Sequence, residues 1–194
     1  MILKKISKYF TKKSQRRFVS HFNLTSASSV LDISCGNGGV LSLYKQYSEA
    51  KNLYGIDMRE ECIIKAKEKY SWGTFSCVEA EELPFRNAFF TIVVSCAAVH
   101  HYRNVKKVFE EVSRVLLPLG DFYIVDIIPN FRWSQILHNL HGCGEPYHFE
   151  KYYTLKDLEY IAKHTGFYLV KNILSQPVSF PGVRVLVFRK TDDY

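Results

Sequence analysis

The sequence has no apolar run that approaches the roughly twenty residues of a membrane-spanning helix. Its basic start lacks the apolar core and the small-residue cleavage site of a signal peptide. Its five cysteines include no CxxC pair, which is typical of reduced thiols in an intracellular protein. We therefore expect a cytoplasmic protein without disulfides.

The glycine-rich turn at 34–39 lacks the marks of a phosphate-binding loop. No Lys followed by Ser or Thr comes after it, as a triphosphate-binding loop requires. Position 41 is Leu, where a dinucleotide fingerprint has its third glycine. A pyrophosphate or triphosphate ligand is therefore disfavoured at this turn.

What the turn does have is an apolar strand before it and a helical pattern after it. Residues 30–40 read VLDISCGNGGV, in which the apolar residues suit a buried parallel strand and the glycines let the chain reverse. A second apolar strand, LYGID at 53–57, ends in an acid about twenty residues further on, as in nucleoside-binding α/β units. The pattern predicts a crevice in which Asp57 faces a ribose.

Alternation of strands and helices continues along the chain and predicts a mostly parallel sheet. With 194 residues and 47% hydrophobic content, the chain can bury the core of a single domain spanning 1–194. The predicted strands lie near 29–34, 53–57, 74–78, 90–96, 121–128, 167–174 and 183–189. The predicted helices lie near 38–48, 59–70, 104–117 and 154–165, the last with a capping-box start at Thr154 and a stop at Gly166.

Positive charge is concentrated at the start of the chain. Seven of the 26 Lys and Arg residues precede residue 18 without any acid, so the remainder carries 19 basic and 19 acidic residues. Apolar residues recur there at helical spacing, which predicts a basic amphipathic arm over 1–27. This arm could dock on the domain as a helix, lie on an anionic membrane surface or touch nucleic acid.

Five segments, in order, resemble the class I S-adenosylmethionine-dependent methyltransferases, in particular the small enzymes that act mostly on small molecules. The segments are VLDISCGNGGV, YGIDMREECIIKAKEK, CVEAEELPF, FTIVVSCAAVHHYRN and VFEEVSRVLLPLGDFYIVDII, and the resemblance extends over roughly residues 28–128. The resemblance implies a doubly wound, mostly parallel, seven-stranded α/β sheet with a C-terminal antiparallel hairpin. It also implies S-adenosyl-L-methionine as the cofactor.

The sequence departs from the family pattern at four places. Ser34 stands where the first motif usually has glycine, and Thr91 stands where the fourth strand often opens with aspartate. Leu119 and Gly120 replace a common glycine pair, and Glu79 replaces a more usual aspartate. A side chain at Ser34 raises the question of how closely the methionine end of the cofactor approaches the turn.

The resemblance assigns cofactor contacts residue by residue. Asp32 lies near the methionine amine, Asp57 at the ribose hydroxyls, and Glu79 with the amide of Ala80 at the adenine edge. The remaining predicted contacts are Ser34, Gly36, Gly38, Met58 and Ser95. Since the ligand carries an amine, a diol and a cation, carboxylates and bare backbone suit it better than phosphate anchors.

Two adjacent histidines follow the fourth strand, His100 and His101. The resemblance places them where the methyl donor and the acceptor meet, and either could accept a proton near neutral pH. Of the two, we favour His101 as the catalytic residue. The alternative is that one or both only hydrogen-bond the loop.

The acceptor is expected to be a small molecule, aromatic or lipid-like. SCAAVHH lacks the Pro-Pro-aromatic signature of nucleic-acid amino-methyltransferases, which disfavours base methylation. Residues 129–153 are rich in aromatics and histidine and lie on the crevice side of the sheet, so we interpret them as a substrate lid, with packing of the loop as the alternative. Their histidines match no zinc signature, and we expect no metal.

The resulting hypothesis is a methyltransferase that uses S-adenosylmethionine. Two alternatives stay open: an RNA-directed methyltransferase that uses the basic arm, and an inactive relative that acts as an interaction module.

Overall fold

The computed structural model describes residues 19–22, 24–128, 152–174 and 183–192. Within these ranges strands and helices alternate as predicted. The strands are β1 (Ser29–Asp32), β2 (Asn52–Asp57), β3 (Thr74–Cys77), β4 (Phe90–Cys96), β5 (Leu116–Ile127), β6 (Phe167–Leu174) and β7 (Val183–Lys190). The helices are α1 (Gly39–Tyr47), α2 (Glu60–Lys69), α3 (Val105–Val115) and α4 (Leu155–Lys163), and a 3-10 turn spans Val99–His101.

The strands form one sheet in the order β3-β2-β1-β4-β5-β7-β6. The first five strands are parallel, and β7 runs antiparallel to both β5 and β6. This arrangement confirms the predicted doubly wound sheet with its C-terminal antiparallel hairpin. The strand order reverses between β1 and β4, so a crevice is expected beyond their carboxyl ends.

Both faces of the sheet are covered, because successive strand residues point to opposite sides. Leu31 belongs to a buried cluster with α3 and α4, whereas its neighbour Val30 belongs to a second cluster with α1 and α2. A continuous apolar strand such as β1 is what burial on both faces requires. The two helical layers hold the strand ends, and hence the crevice, in fixed positions.

The start of β5 differs most from the prediction. Helix α3 ends at Val115 and the chain turns at once into extended backbone, so β5 begins at Leu116 and not at 121. An irregularity in its pairing with β4 accommodates the extra residues, among them Leu119 with φ +60°. The other bounds agree with the prediction within two residues, and the capping box of Thr154 and Asp157 is confirmed.

Two predicted segments fall largely outside the described residues, namely the basic arm up to residue 18 and the lid from 129 to 151. Three expectations therefore stay predictions. They are the contact of the arm with a membrane or nucleic acid, the absence of a metal at the lid histidines, and the cytoplasmic location.

Among the described helices, none combines the length and the apolar content needed to cross a bilayer.

Candidate functional site

The turn after β1 is fixed between the two neighbouring strands. The N–H of Ile33 donates to the carbonyl of Val94 at 2.9 Å, and the N–H of Cys35 donates to the carbonyl of Ile56 at 2.9 Å. Gly36 follows with φ +53°, and a Cβ built on it would meet only the guanidinium of Arg59, at 3.9 Å. The backbone of Gly36 therefore borders open space, as a ligand-contacting turn should.

Gly38 is required for a different reason. It precedes α1 with φ +79°, and a Cβ there would lie 2.8 Å from the ring of Tyr70. Packing against this ring and the left-handed backbone explain the glycine without a ligand. A cofactor contact at Gly38 stays a prediction.

Asp32 ends β1 as a fully buried carboxylate. Its Oδ1 accepts the N–H of Ser34 at 3.0 Å, while its Oδ2 has no hydrogen-bond partner in the described part of the chain. Burial, and secondarily the nearby charge of Asp57, raises the pKa of Asp32 to about 7. A cation placed beside this carboxyl group would therefore stabilise its ionised form.

Ser34, the residue that replaces a glycine, is turned towards β4. Its Oγ accepts the N–H of Cys96 at 3.1 Å and lies 3.4 Å from Oδ1 of Asp32. The hydroxyl therefore ties the turn to the end of β4. This contact gives the departure at Ser34 a structural reason.

Asp57 ends β2 and faces the same turn. Its Oδ2 accepts the N–H of Gly36 at 2.9 Å, and its Oδ1 accepts the N–H of Arg59 at 3.0 Å. The guanidinium of Arg59 also reaches this carboxylate, with Nε 3.1 Å from Oδ1. Sequence reasoning missed Arg59, although the residue stands at the N-cap of α2, where a Ser, Thr, Asp or Asn is usual.

Three further predicted residues follow strand ends at this edge of the sheet, Met58 after β2 and Glu79 with Ala80 after β3. Glu79 is half exposed and lies 3.8 Å from the guanidinium of Arg103, while Ala80 is buried. Met58 is 48% exposed beside Asp57. All three lie near strand ends that face the crevice, and their contacts with a cofactor stay predictions.

Ser95 near the end of β4 is buried, and its hydroxyl lies 2.9 Å from the hydroxyl of Tyr102. Burial raises the pKa of Tyr102 well above its usual range, so the phenol stays protonated. No sequence signal indicated Tyr102. The contact ties the loop between β4 and α3 to the carboxyl end of β4.

The two histidines within this loop have different surroundings. His100 is buried, and its Nδ1 lies 2.9 Å from Oδ1 of Asp126 on β5, whereas His101 is partly exposed. Their ring centroids are 4.0 Å apart. Upstream of them, Ala97 has φ +53° and donates its N–H to the carbonyl of Val125 at 2.7 Å.

Asp126 was not among the predicted site residues. The available signal was an acid within the apolar strand FYIVDII, at the end of the sheet that faces the crevice. A buried carboxylate in such a strand needs a polar partner, which His100 supplies.

The predicted cofactor presents an ammonium, a ribose diol and an adenine, and the described groups fit these. The unpartnered oxygen of Asp32 suits the ammonium, and Asp57 suits the diol. The open space at Gly36 leaves room for the ligand against bare backbone. No group of three or more metal-ligating side chains occurs among the residues that the structure describes.

Comparison with known proteins agrees with this geometry. Residues 31–124 match the family model of the methyltransferase domain. Over 103 residues the chain is 33% identical to the phthiotriol/phenolphthiotriol dimycocerosates methyltransferase of Mycobacterium tuberculosis. Over 117 residues it is 25% identical to the demethylmenaquinone methyltransferase of Thermotoga maritima.

These matches cover 52% and 60% of this chain, and the chain spans only 38% and 51% of the length of the two relatives. Among solved structures, the YcgJ protein from Bacillus subtilis superimposes with a TM-score of 0.78 at 18% identity. That likeness covers 95% of this chain and 100% of the YcgJ chain. At this identity it shows a shared fold.

Proposed function

Because the chain belongs to the class I S-adenosylmethionine-dependent methyltransferases, we propose that it transfers a methyl group to a small lipid-like or aromatic acceptor. S-adenosylmethionine, when bound, supplies a methyl group on a positively charged sulfur. The protein's task is then to bind this cofactor, align the acceptor and remove the acceptor's proton, since orientation alone is worth about 7–11 kcal/mol in such reactions.

The observation that carries the proposal is the pairing of two buried carboxylates with open backbone at adjacent strand ends. Asp32 would hold the ammonium of the cofactor and Asp57 its ribose, with Gly36 between them. Glu79 and Ala80 would flank the adenine, and Ser34, Gly38, Met58 and Ser95 complete the proposed contacts. The negative charges of Asp32, Asp57 and Glu79 would repel a polyphosphate.

The acceptor class is supported by the relatives and by the histidine turn. The mycobacterial relative is named for dimycocerosate lipids and the Thermotoga relative for demethylmenaquinone, which are both apolar molecules. His100 and His101 lie beyond the carboxyl end of β4, where an acceptor would meet the methyl group. Tyr152, at the end of the proposed lid, stacks on His100 with 5.3 Å between centroids, which places an aromatic surface there.

The alternatives have less support. RNA recognition would depend on the basic residues 1–17, which lie outside the described residues, and the comparisons add nothing in its favour. Loss of catalysis would depend on the departures from the family pattern at Ser34 and Thr91. Both make local structural hydrogen bonds here, so neither substitution by itself implies an inactive protein.

Calorimetry with S-adenosylhomocysteine, the demethylated product, tests cofactor binding. We expect binding by the wild type and a loss of about 10- to 100-fold for Asp57→Asn, because each charge-assisted hydrogen bond contributes about 1.5–3 kcal/mol. Glu110→Gln on the exposed face of α3 is the matched control and should bind as the wild type does. Tighter binding of NAD⁺ or ATP than of S-adenosylhomocysteine would refute the proposal.

The acceptor is tested separately by incubating the full chain with S-adenosylmethionine and a panel of alkylated quinols, catechols and hydroxylated lipids. Mass spectrometry should detect addition of one methyl group to a member of this panel. Methylation of RNA alone would replace the proposed acceptor by the RNA alternative.

A further inference from the structure

We infer that Glu81 is a positioning residue that fixes the histidine turn, Val99–His101, relative to the loop proposed to bind adenine. This loop, residues 78–89, joins β3 to β4 and contains Glu79 and Ala80. The inference rests on the proposed function, because it requires the nucleoside in the loop and the acceptor at the turn. Glu81 itself is assigned no contact with either ligand.

The carboxylate of Glu81 bridges the two segments. Its Oε1 accepts the N–H of Arg103 at 3.1 Å and the N–H of Asn104 at 3.3 Å. Both donors belong to the backbone that leads from the histidine turn into α3. The residue that directly follows the proposed adenine contacts therefore holds the chain shortly after the turn.

Capping of α3 does not account for this contact. Asn104 is already the N-cap of α3, and its side chain accepts the N–H of Lys107 at 3.1 Å. Arg103 and Asn104 are exposed, so water could satisfy their N–H groups in place of the carboxylate. The contact is therefore weak as a source of stability, and its main effect is to fix where the end of the turn lies.

Ion pairs between the same segments are weaker restraints. A guanidinium nitrogen of Arg103 lies 3.8 Å from Oε1 of Glu79. The ammonium of Lys107 lies 3.0 Å from Oε1 of Glu82. These four side chains are 45–81% exposed, and exposed pairs are screened by solvent and contribute little. Glu81 differs from them because two backbone N–H groups converge on one of its oxygens.

The second half of the loop is anchored on α3 without Glu81. Nη1 of Arg114 donates to the carbonyl of Phe85 at 2.7 Å, and Nη2 donates to the carbonyl of Leu83 at 2.8 Å. Oε2 of Glu111 accepts the N–H of Leu83 at 2.7 Å. These bonds hold the loop on the domain when Glu81 is replaced, so the substitution should loosen only the link to the histidine turn.

The link matters because methyl transfer depends on alignment. The nucleoside part of the cofactor would be held by the loop and the strand ends, whereas the acceptor would meet the turn at His100 and His101. A displacement of about 1 Å between reacting groups can cost about 10²-fold in rate. Loss of Glu81 should therefore lower kcat and leave the affinity for the nucleoside nearly unchanged.

Nitrogen NMR of the full chain labelled at histidine tests the positioning without any activity. The backbone signal of His101, assigned by comparison with His101→Gln, should be displaced in Glu81→Ala. It should stay in place in Glu81→Gln, whose amide oxygen can accept the same two N–H groups. It should also stay in place in Glu82→Ala, the matched control that loses one exposed ion pair. An unchanged signal in Glu81→Ala, or an equal displacement in Glu82→Ala, would overturn the inference.

Kinetics with S-adenosylmethionine and 4-octylcatechol test the effect on the reaction. Glu81→Ala should lower kcat by about 10- to 100-fold and change the affinity for S-adenosylhomocysteine, measured by calorimetry, by less than about threefold. Glu81→Gln should restore kcat to within about threefold of the wild type. A matching loss of affinity and kcat in Glu81→Ala, or a kcat equal to that of the wild type, would overturn the inference.

Failure of the proposed function would look different. A wild type that does not bind S-adenosylhomocysteine would refute that function, whatever the variants do. A wild type that binds this product and leaves 4-octylcatechol unmethylated would exclude this catechol as the acceptor, and the NMR result would then decide the inference.

Discussion

The guanidinium of Arg59 covers the carboxylate of Asp57, with Nε 3.1 Å from Oδ1 and Nη2 3.4 Å from Oδ2. The same guanidinium is the nearest group to the open side of Gly36. Arg59 therefore occupies the place where the proposed ribose would bind. Because its side chain is 53% exposed, the ion pair is weak and can be displaced.

Replacing this arginine should strengthen cofactor binding. In Arg59→Ser the carboxylate of Asp57 is freed, and an exposed pair of this kind is worth about 0–1 kcal/mol, so affinity for S-adenosylhomocysteine should rise by up to about fivefold. Serine should also cap α2 and raise the melting temperature, since a favourable N-cap contributes about 0.5–2 kcal/mol. Calorimetry and a thermal melt measure the two effects.

Arg86→Ser is the control for this substitution, since it removes another exposed cation, one that lies over the ring of Phe89. It should leave the affinity unchanged. A weaker affinity in Arg59→Ser would mean that the guanidinium itself contacts the ligand.

Cofactor affinity should depend on pH through Asp32. Its pKa is raised to about 7 in the folded protein, so this group binds a proton between about pH 4 and 7 that the unfolded chain does not bind. Its contribution to the free energy of unfolding without ligand therefore falls as pH rises through this window. A bound ammonium favours the carboxylate, so affinity for S-adenosylhomocysteine should be roughly tenfold higher at pH 7.5 than at pH 6.

Titration calorimetry at several pH values measures this dependence. Asp32→Asn should bind more weakly and lose the dependence. Asp57→Asn should bind more weakly and keep a dependence displaced to lower pH, because it removes a charge that helps to raise the pKa of Asp32. An affinity that stays flat from pH 6 to 7.5 in the wild type would contradict the role of Asp32.

Leu119 should be a site where glycine stabilises the fold. The residue has φ +60° and is 56% exposed, so its side chain loses little water and its backbone is strained. Left-handed backbone costs a non-glycine residue about 1–2 kcal/mol, and glycine avoids this cost. About half of the gain is offset because glycine makes the unfolded chain more flexible and so loses more entropy on folding. Urea unfolding of Leu119→Gly should therefore show a gain of about 0.5–1 kcal/mol. Leu119→Ala keeps the strain and should show no gain.

Thr91 should matter for stability and not for binding. Its Oγ1 accepts the N–H of Ser29 and donates to the carbonyl of Ser29, both at 3.0 Å, where β1 and β4 begin. Thr91→Val leaves these groups unpaired and should cost about 1–3 kcal/mol in urea unfolding. Thr91→Ser retains the hydroxyl and is the control. A loss of cofactor affinity in folded Thr91→Val would show that this end of the sheet influences the crevice.

The mostly parallel α/β sheet and the two carboxylates at its strand ends were predictable from the sequence, because strand periodicity, turn glycines and acids at strand ends are local signals. The antiparallel hairpin that completes the seven-stranded sheet was implied by the resemblance to the family. The contact of Arg59 with Asp57 was not predictable, because an exposed side chain does not contribute to the hydrophobic periodicity of the sequence. The pairing of His100 with Asp126 joins residues 26 positions apart and depends on the register between β4 and β5. The early start of β5 was missed because its irregular pairing interrupts the strand pattern.

The left-handed backbone at Ala97 has a consequence for engineering. It redirects the chain just after the end of β4, which borders the proposed cofactor site, and before the turn that carries the histidines. Its N–H donates to a carbonyl of β5. A β-branched residue at this position would be strained by the left-handed backbone and would displace the histidine turn relative to the proposed cofactor site. Libraries that vary residues 98–101 while leaving Ala97 and Tyr102 intact should therefore sample new acceptors without altering the proposed nucleoside site.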